Sequence, residues 1–226
     1  MCSAHGSNLH LHTRNLRYLA PGAVFYHGGG WALGKIQADD IFCRLISRGL
    51  SHVVVSVEYH LTPEHVFPAA IDDDYDAFIW IVKHASQVNI DEKKIYVTGS
   101  SAGSHISAAV ALRASESAYG LRFAAQILPI PFVCDPLQFK GELPERSKVP
   151  IFNDAALATM LGVFAPDPAT RSSCCLSPLL TKSDFLKKLP QMYIDVCTAD
   201  PLCVPANAYG GVLEDHGVPV KIFALE

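Results

Sequence analysis

The feature that most constrains the fold is the pentapeptide GSSAG at residues 99–103, which has the pattern G-x-S-x-G. It follows a β-branched and aromatic run at residues 94–98 and precedes a segment of small residues at 104–113. A strand that turns sharply into a helix holds its serine in a strained backbone conformation and exposes the hydroxyl beside the N–H groups of the helix. The pattern therefore predicts Ser101 as a nucleophile. Taken alone, it is equally compatible with a glycine–serine turn without a chemical role.

A second glycine-rich stretch, HGGGW at residues 27–31, follows the apolar run AVFY at residues 23–26. A loop of this type after a buried strand can supply N–H groups to an oxyanion, and glycines let a carbonyl oxygen approach the amides. A glycine run by itself could also cradle a phosphate or form a flexible loop, although the spacings typical of nucleotide-binding loops are absent. Combined with GSSAG, the stretch predicts an oxyanion hole made by four N–H groups, those of Gly28, Gly29, Gly30 and Ala102.

Together with two further blocks, these motifs resemble the hormone-sensitive-lipase-like carboxylesterase family of α/β-hydrolases. The further blocks are EYHLTPEHVFPAA at residues 58–70 and ADPL at residues 199–202. The resemblance implies the α/β-hydrolase fold, with a mostly parallel central sheet flanked by helices. It also implies hydrolysis of carboxylic esters by a Ser-Asp-His acyl-enzyme mechanism. Three positions depart from the family pattern and concern substrate preference more than fold: Ser100, His60 and Cys203.

Asp200 is predicted to be the acid of the triad because it directly follows an apolar strand at residues 192–197, where a parallel sheet places its chemistry. Asp195 is a weaker candidate, since it lies inside that strand. The order Ser, Asp, His requires a histidine after the last strand, but the sequence stops at Glu226. It also starts without the longer amino-terminal region of related enzymes. We therefore expect truncation at both ends, with the general base beyond the carboxyl end.

The other histidines are predicted to have structural roles. His216 falls at a helix end before the last strand, where the helix dipole favours it. His105 follows Ser101 by one helical turn and is expected to point into packing. His27 is expected to support the glycine loop, and His52 and His84 fall at the ends of a strand and a helix. None of them is predicted to be the general base.

The length of the chain fits one domain. We predict a short amino-terminal arm at residues 1–22 and a single α/β-hydrolase domain at residues 23–226, with residues 134–180 as a lid-like insertion. In the arm, solvent exposure is the preferred interpretation, and adventitious metal binding the alternative, for a group of histidines: His5, His10 and His12.

Acidic side chains are concentrated near the start of a predicted helix that follows Pro68. They lack the spacing of a calcium-binding loop, and the helix dipole favours acids at this position. We therefore expect neither a metal nor a cofactor. The acids in question are Asp72, Asp73, Asp74 and Asp76.

Composition excludes several other classes of function. A formal net charge of −4 without a basic run argues against a nucleic-acid surface. No segment is long and apolar enough to span a membrane, and no secretory leader is evident at the start. Seven cysteines without C-x-x-C pairs are typical of reduced thiols, so a cytoplasmic location is expected.

The expected partner is a small-molecule ester. The resemblance also allows a homodimer that pairs through the last strand and helix. The alternative function is that of a catalytically impaired member of the family, which would use the same pocket to bind a small molecule. Retention of Ser101, the glycine loop and Asp200 favours the enzyme.

Overall fold

The computed structural model describes residues 2–4, 7–13, 18–117, 123–143, 153–181 and 184–225. The strands are β1 Cys2–Ala4, β2 Ser7–His12, β3 Ala20–Tyr26, β4 Val53–Glu58, β5 Ile90–Gly99, β6 Ala125–Pro129, β7 Gln191–Cys197 and β8 Val220–Leu225. The α-helices are α1 Asp40–Leu50, α2 Ala69–Lys83, α3 Ala102–Glu116, α4 Asp154–Phe164 and α5 Cys203–Asp215. Short 3-10 turns lie at Ile36–Asp39, Ala85–Val88, Pro168–Ser172, Pro178–Leu180 and Asp184–Lys188.

All of these strands belong to one sheet, in the order β1-β2-β4-β3-β5-β6-β7-β8. Strands β3 to β8 are parallel to one another, whereas β2 runs antiparallel to both β1 and β4. The strands β3 and β5 are in register, with Tyr26 opposite Gly99, so the two glycine-rich motifs follow neighbouring strand ends. The predicted α/β-hydrolase sheet, mostly parallel and flanked by helices, is confirmed.

Side-chain alternation along the strands divides the core into two layers. On β3, Ala23 and Phe25 pack with Cys43 of α1, whereas Val24 and Tyr26 belong to the larger core on the other face. Helices α2, α3, α4 and α5 contribute buried apolar residues to that larger core. Within the described ranges, no helix has the length and apolar character needed to cross a bilayer.

The acidic cluster of α2 is only partly exposed to solvent, contrary to a simple dipole argument. Asp72 pairs with Arg113 at 2.6 Å, and Asp73 pairs with His60 at 2.6 Å. Asp74 is fully buried, and among the described residues neither oxygen of its carboxyl group has a hydrogen-bond partner. The sequence analysis did not predict this burial, although Asp74 follows the buried Ile71 by about one helical turn and so lies on the core side of α2.

Candidate active site

Ser101 occupies the sharp turn between β5 and α3. Its backbone angles are φ 53° and ψ −110°, a region that non-glycine residues rarely adopt. The Ser101 N–H donates to the carbonyl oxygen of Pro129 at 3.2 Å, and the His105 N–H donates to the Ser101 oxygen at 3.0 Å. The end of β6 and the first turn of α3 therefore hold the strained residue from both sides, and its side chain stays partly accessible.

The glycines around Ser101 allow the elbow to approach the end of β3. A Cβ on Gly103 would lie 1.9 Å from the carbonyl oxygen of Tyr26, and one on Gly99 would lie 2.4 Å from the same oxygen. Both distances are far inside van der Waals contact with backbone that cannot swing away. These glycines are therefore required by packing.

The glycine loop lies directly against this elbow. A Cβ on Gly28 would meet the Ser100 carbonyl oxygen at 2.9 Å. Gly29 has φ +123°, and its carbonyl oxygen accepts the Leu33 N–H at 2.9 Å, so the loop closes as a turn. Within the described structure, we find no hydrogen-bond acceptor for the four predicted oxyanion-hole N–H groups, those of Gly28, Gly29, Gly30 and Ala102.

His27 and Tyr59 support the loop from below. His27 Nδ1 donates to the Gly28 oxygen at 2.8 Å, and the Tyr59 hydroxyl donates to the His27 oxygen at 2.7 Å. The two rings stack with centroids 4.2 Å apart, and both side chains are buried. Burial lowers the pKa of His27, which favours the neutral ring. His27 therefore takes the supporting role that the sequence predicts.

Trp31 ties the glycine loop to the elbow helix through His105. Trp31 Nε1 donates to His105 Nδ1 at 3.0 Å, so this ring nitrogen carries no proton. The other nitrogen, Nε2, donates to the carbonyl oxygens of Cys175 and Leu176 at 3.0 and 3.1 Å. Complete burial lowers the pKa of His105 to about 4. With both nitrogens engaged, His105 has no free lone pair to accept a proton from Ser101.

Helix α4 covers the glycine loop. The terminal methyl of Met160 lies where a Cβ on Gly30 would be, and the ring of Phe164 stacks on Trp31 with centroids 4.4 Å apart. The Phe164 carbonyl oxygen accepts the Phe67 N–H at 2.7 Å. Helix α4 thus places apolar side chains next to the loop.

Asp200 follows β7 at the same edge of the sheet as Ser101. Its Oδ1 accepts the Leu202 N–H at 2.8 Å, and its own N–H donates to the Cys197 oxygen at 2.9 Å. Ser101 follows β5 and Asp200 follows β7, with β6 between them, so the two strand ends are about 10 Å apart at a spacing of about 4.8 Å per strand. Asp195 lies within β7 opposite Pro129, and burial raises its pKa.

In the part of the chain that the structure describes, no hydrogen bond joins a histidine to Asp200 or to the Ser101 hydroxyl. His216 caps α5, and its Nδ1 donates to the Val212 oxygen at 2.7 Å, as expected for a helix end. Three other rings are hydrogen-bonded elsewhere: His52 with Tyr96, His60 with Asp73, and His84 with Trp80.

The sequence analysis missed two supporting contacts of this site. Tyr59 belongs to the block at residues 58–70, but its contact with His27 joins the end of β4 to the end of β3 and therefore leaves no local signal in the sequence. The bond between Trp31 and His105 was also missed. A tryptophan in the glycine loop and a polar residue one turn after the nucleophile were the available signals, because a buried indole N–H needs an acceptor.

Comparison with known proteins agrees with this geometry. A family model described as the alpha/beta hydrolase fold matches residues 23–226. An arylesterase of Saccharolobus solfataricus is 34% identical over 204 residues, which cover 89% of this chain and 65% of the relative. Esterase LipI of Mycobacterium tuberculosis is 35% identical over 204 residues, or 90% of this chain and 62% of the relative. The chain thus spans less than two thirds of these curated relatives.

Solved structures show the same likeness. A thermostable esterase from Pseudomonas putida superimposes with a TM-score of 0.90 at 28% identity, covering 99% of this chain and 70% of that one. An arylesterase structure gives a TM-score of 0.86 at 28% identity, covering 100% of this chain and 73% of that one.

Proposed function

The chain belongs to the α/β-hydrolase family, and on that premise we propose that it acts in the hydrolysis of carboxylic esters, with Ser101 as the nucleophile. The observation that carries the proposal is the strained Ser101 backbone, with φ 53°, beside a glycine loop whose N–H groups have no described acceptor. Strain of this kind is retained where it serves a site. A simple turn would not need it.

In the proposed reaction, the Ser101 Oγ attacks the ester carbonyl carbon and its proton passes to a general base. Negative charge develops on the carbonyl oxygen, and preorganised N–H donors stabilise it. We assign that role to the N–H groups of Gly28, Gly29, Gly30 and Ala102. The alcohol then leaves with a proton, and water releases the acyl group from Ser101.

We propose Asp200 as the acid that orients the general base and stabilises its protonated form. Its position after β7 supports this role, and one of its oxygens is already fixed by the Leu202 N–H. Asp195 is a poorer candidate because it lies within the strand. The general base is not assigned to any described histidine, since His27, His105 and His216 are each bonded elsewhere.

The substrate proposed is a small ester with an uncharged acyl group. Met160 next to Gly30 supports this assignment, because an apolar neighbour would leave a charged acyl group unsolvated. We also keep residues 134–180 as a proposed lid-like insertion within a single domain at residues 23–226. The amino-terminal arm at residues 1–22, a homodimer, the absence of a nucleic-acid partner and a cytoplasmic location stay predictions.

The test is hydrolysis of p-nitrophenyl butyrate by the chain and by Ser101→Ala, with and without added imidazole. We expect turnover that depends on Ser101, either without addition or after rescue by imidazole, which can replace a missing general base. The matched control is Ser104→Ala, which removes the adjacent helical hydroxyl bonded to the Pro129 oxygen at 2.7 Å. It should keep the Ser101-dependent rate.

The arms of this experiment separate the parts of the proposal. Turnover without imidazole that Ser101→Ala abolishes would mean that the chain supplies its own base. Turnover only with imidazole would assign the nucleophile but not the base. Rates equal to background in both arms, with folding checked by circular dichroism, would refute the ester-hydrolase proposal. The alternative of a catalytically impaired small-molecule binder would then have to be tested by ligand binding.

A further inference from the structure

The outer part of the sheet carries a group of metal-type side chains away from the active site. His10 and His12 lie on β2, and Asp40 begins α1. Among the described residues, these three can each offer a ligand atom such that all the atoms lie within 4.8 Å of one another. Sequence reasoning placed both histidines on a solvated arm. That interpretation is wrong for His12, which is buried under α1; His5 lies outside the described residues.

The two histidines share a face because they are two residues apart on a strand. In the sheet, His12 is opposite Val54, whose side chain belongs to the core layer under α1. Ser47 of α1 donates its hydroxyl to the His12 carbonyl oxygen at 3.3 Å, which holds the helix over this end of β2. The rings of His10 and His12 are in contact, with centroids 4.5 Å apart.

The His12 ring is buried without a hydrogen bond from the protein. Its Nε2 has no partner in the described structure, and its Nδ1 lies 3.6 Å from Asp40 Oδ1, too far for a hydrogen bond. Buried imidazole nitrogens are normally bonded. The 3.6 Å separation is, however, close to the spacing of about 3.4 Å between two ligand atoms of a tetrahedral zinc ion with bonds of about 2.0–2.1 Å.

The Asp40 carboxylate is held in a fixed orientation. Arg44 Nε donates to Asp40 Oδ2 at 2.6 Å, which fixes the carboxylate with its other oxygen toward His12, as outer residues do at metal sites. A cavity of about 140 Å³ is lined by both histidines together with Arg44 and Arg48, and it has room for a water ligand.

We propose that His10, His12 and Asp40 form a binding site for a divalent transition-metal ion of the zinc class, completed by water. Two imidazoles and one carboxylate are ligands that zinc accepts and that magnesium and calcium do not favour. The ion would join β2 to α1 and so stabilise the antiparallel edge of the sheet. This proposal does not depend on the ester-hydrolase proposal, because none of its residues belongs to the site around Ser101.

The experiment is a zinc titration of the untagged chain by calorimetry after removal of metal with a chelator, together with Co²⁺ absorption as a probe of tetrahedral ligation. We expect one ion per chain, and at least tenfold weaker binding in His10→Gln and Asp40→Asn. Zinc at 100 times its Kd should raise the melting temperature by roughly 5–10 °C in the wild type, and by much less in the two variants.

Two control variants match these changes. Asp39→Asn removes the same charge one residue earlier, and His65→Gln removes an exposed imidazole whose ring contacts that of His60. Both should bind zinc like the wild type. Absence of binding, unchanged affinity in His10→Gln and Asp40→Asn, or an equal loss in His65→Gln would overturn the proposal. If Asp40→Asn proves unfolded by circular dichroism, His10→Gln decides alone, because His10 is only half-buried.

Discussion

The buried His105 should make the stability of this protein depend on pH in the interval between the ordinary pKa of histidine and the lower pKa of this ring in the folded protein. The pKa of His105 falls from 6.5 to about 4 in the folded protein, first because of burial. The unfolded chain therefore binds more protons than the folded chain in this interval, so the free energy of unfolding falls as the pH falls. The two pKa values give a loss of about 2.5 kcal/mol at pH 4.5 and less than about 0.1 kcal/mol at pH 7.5.

The perturbation that isolates this effect is His105→Leu, which removes the titrating group. At pH 7.5 the variant should be less stable than the wild type by roughly 1–3 kcal/mol, because the Trp31 indole N–H loses its buried acceptor. Between pH 7.5 and pH 4.5 the wild type should lose about 2.5 kcal/mol of unfolding free energy through His105, and the variant should not. The stability difference between wild type and variant should therefore shift by about 2.5 kcal/mol in favour of the variant. Urea unfolding at both pH values, followed by circular dichroism, measures the four free energies.

The control is His65→Gln, which removes an exposed ring and should leave the pH dependence of the wild type in place. The reasoning would be refuted if His105→Leu lost as much stability between pH 7.5 and pH 4.5 as the wild type. That result would mean that the His105 ring is reached by water or by a carboxylate, and that the bond to Trp31 does not hold it neutral.

Two further predictions concern packing and buried charge. Gly103→Ala should destabilise the fold by about 1–3 kcal/mol or more, because its Cβ would lie 1.9 Å from the Tyr26 carbonyl oxygen. Gly211→Ala, at a helical position with nothing within 4 Å, should instead stabilise by about 0.5–1 kcal/mol, and equal thermal shifts in both would contradict the packing argument. Burial, and to a lesser extent the charge of Asp73, raises the pKa of Asp74 in the folded protein. Above the ordinary carboxyl pKa the folded state therefore binds more protons than the unfolded state, and the free energy of unfolding falls as the pH rises. Asp74→Asn should therefore gain roughly 1–3 kcal/mol over the wild type at pH 8 and less at pH 5, whereas the exposed Asp76→Asn should show no such difference in chemical unfolding.

Much of the fold follows from local signals that the sequence carries in short stretches. The apolar run at residues 23–26, the elbow at 99–103 and the apolar strand before Asp200 each predict their own element, because strand burial and tight turns restrict the allowed residue types. The order of these elements also predicts that both glycine motifs lie at the carboxyl edge of the sheet, since parallel strands end on the same side. The bond from Trp31 to His105 could not be predicted in this way.

What the sequence by itself determined is therefore the separate apolar strands, the elbow with Ser101 and the glycine loop, because each is encoded by its residue pattern or by the steric demands of a turn. The arrangement of the strands in one mostly parallel sheet was implied by the family resemblance. Only the tertiary structure decided that His12 faces Asp40, that Tyr59 stacks on His27, and that the Asp74 side chain is buried. Those contacts join residues from separate elements. They depend on strand register and on how each helix is rotated over the sheet, and neither quantity is set by residues that are neighbours in the chain.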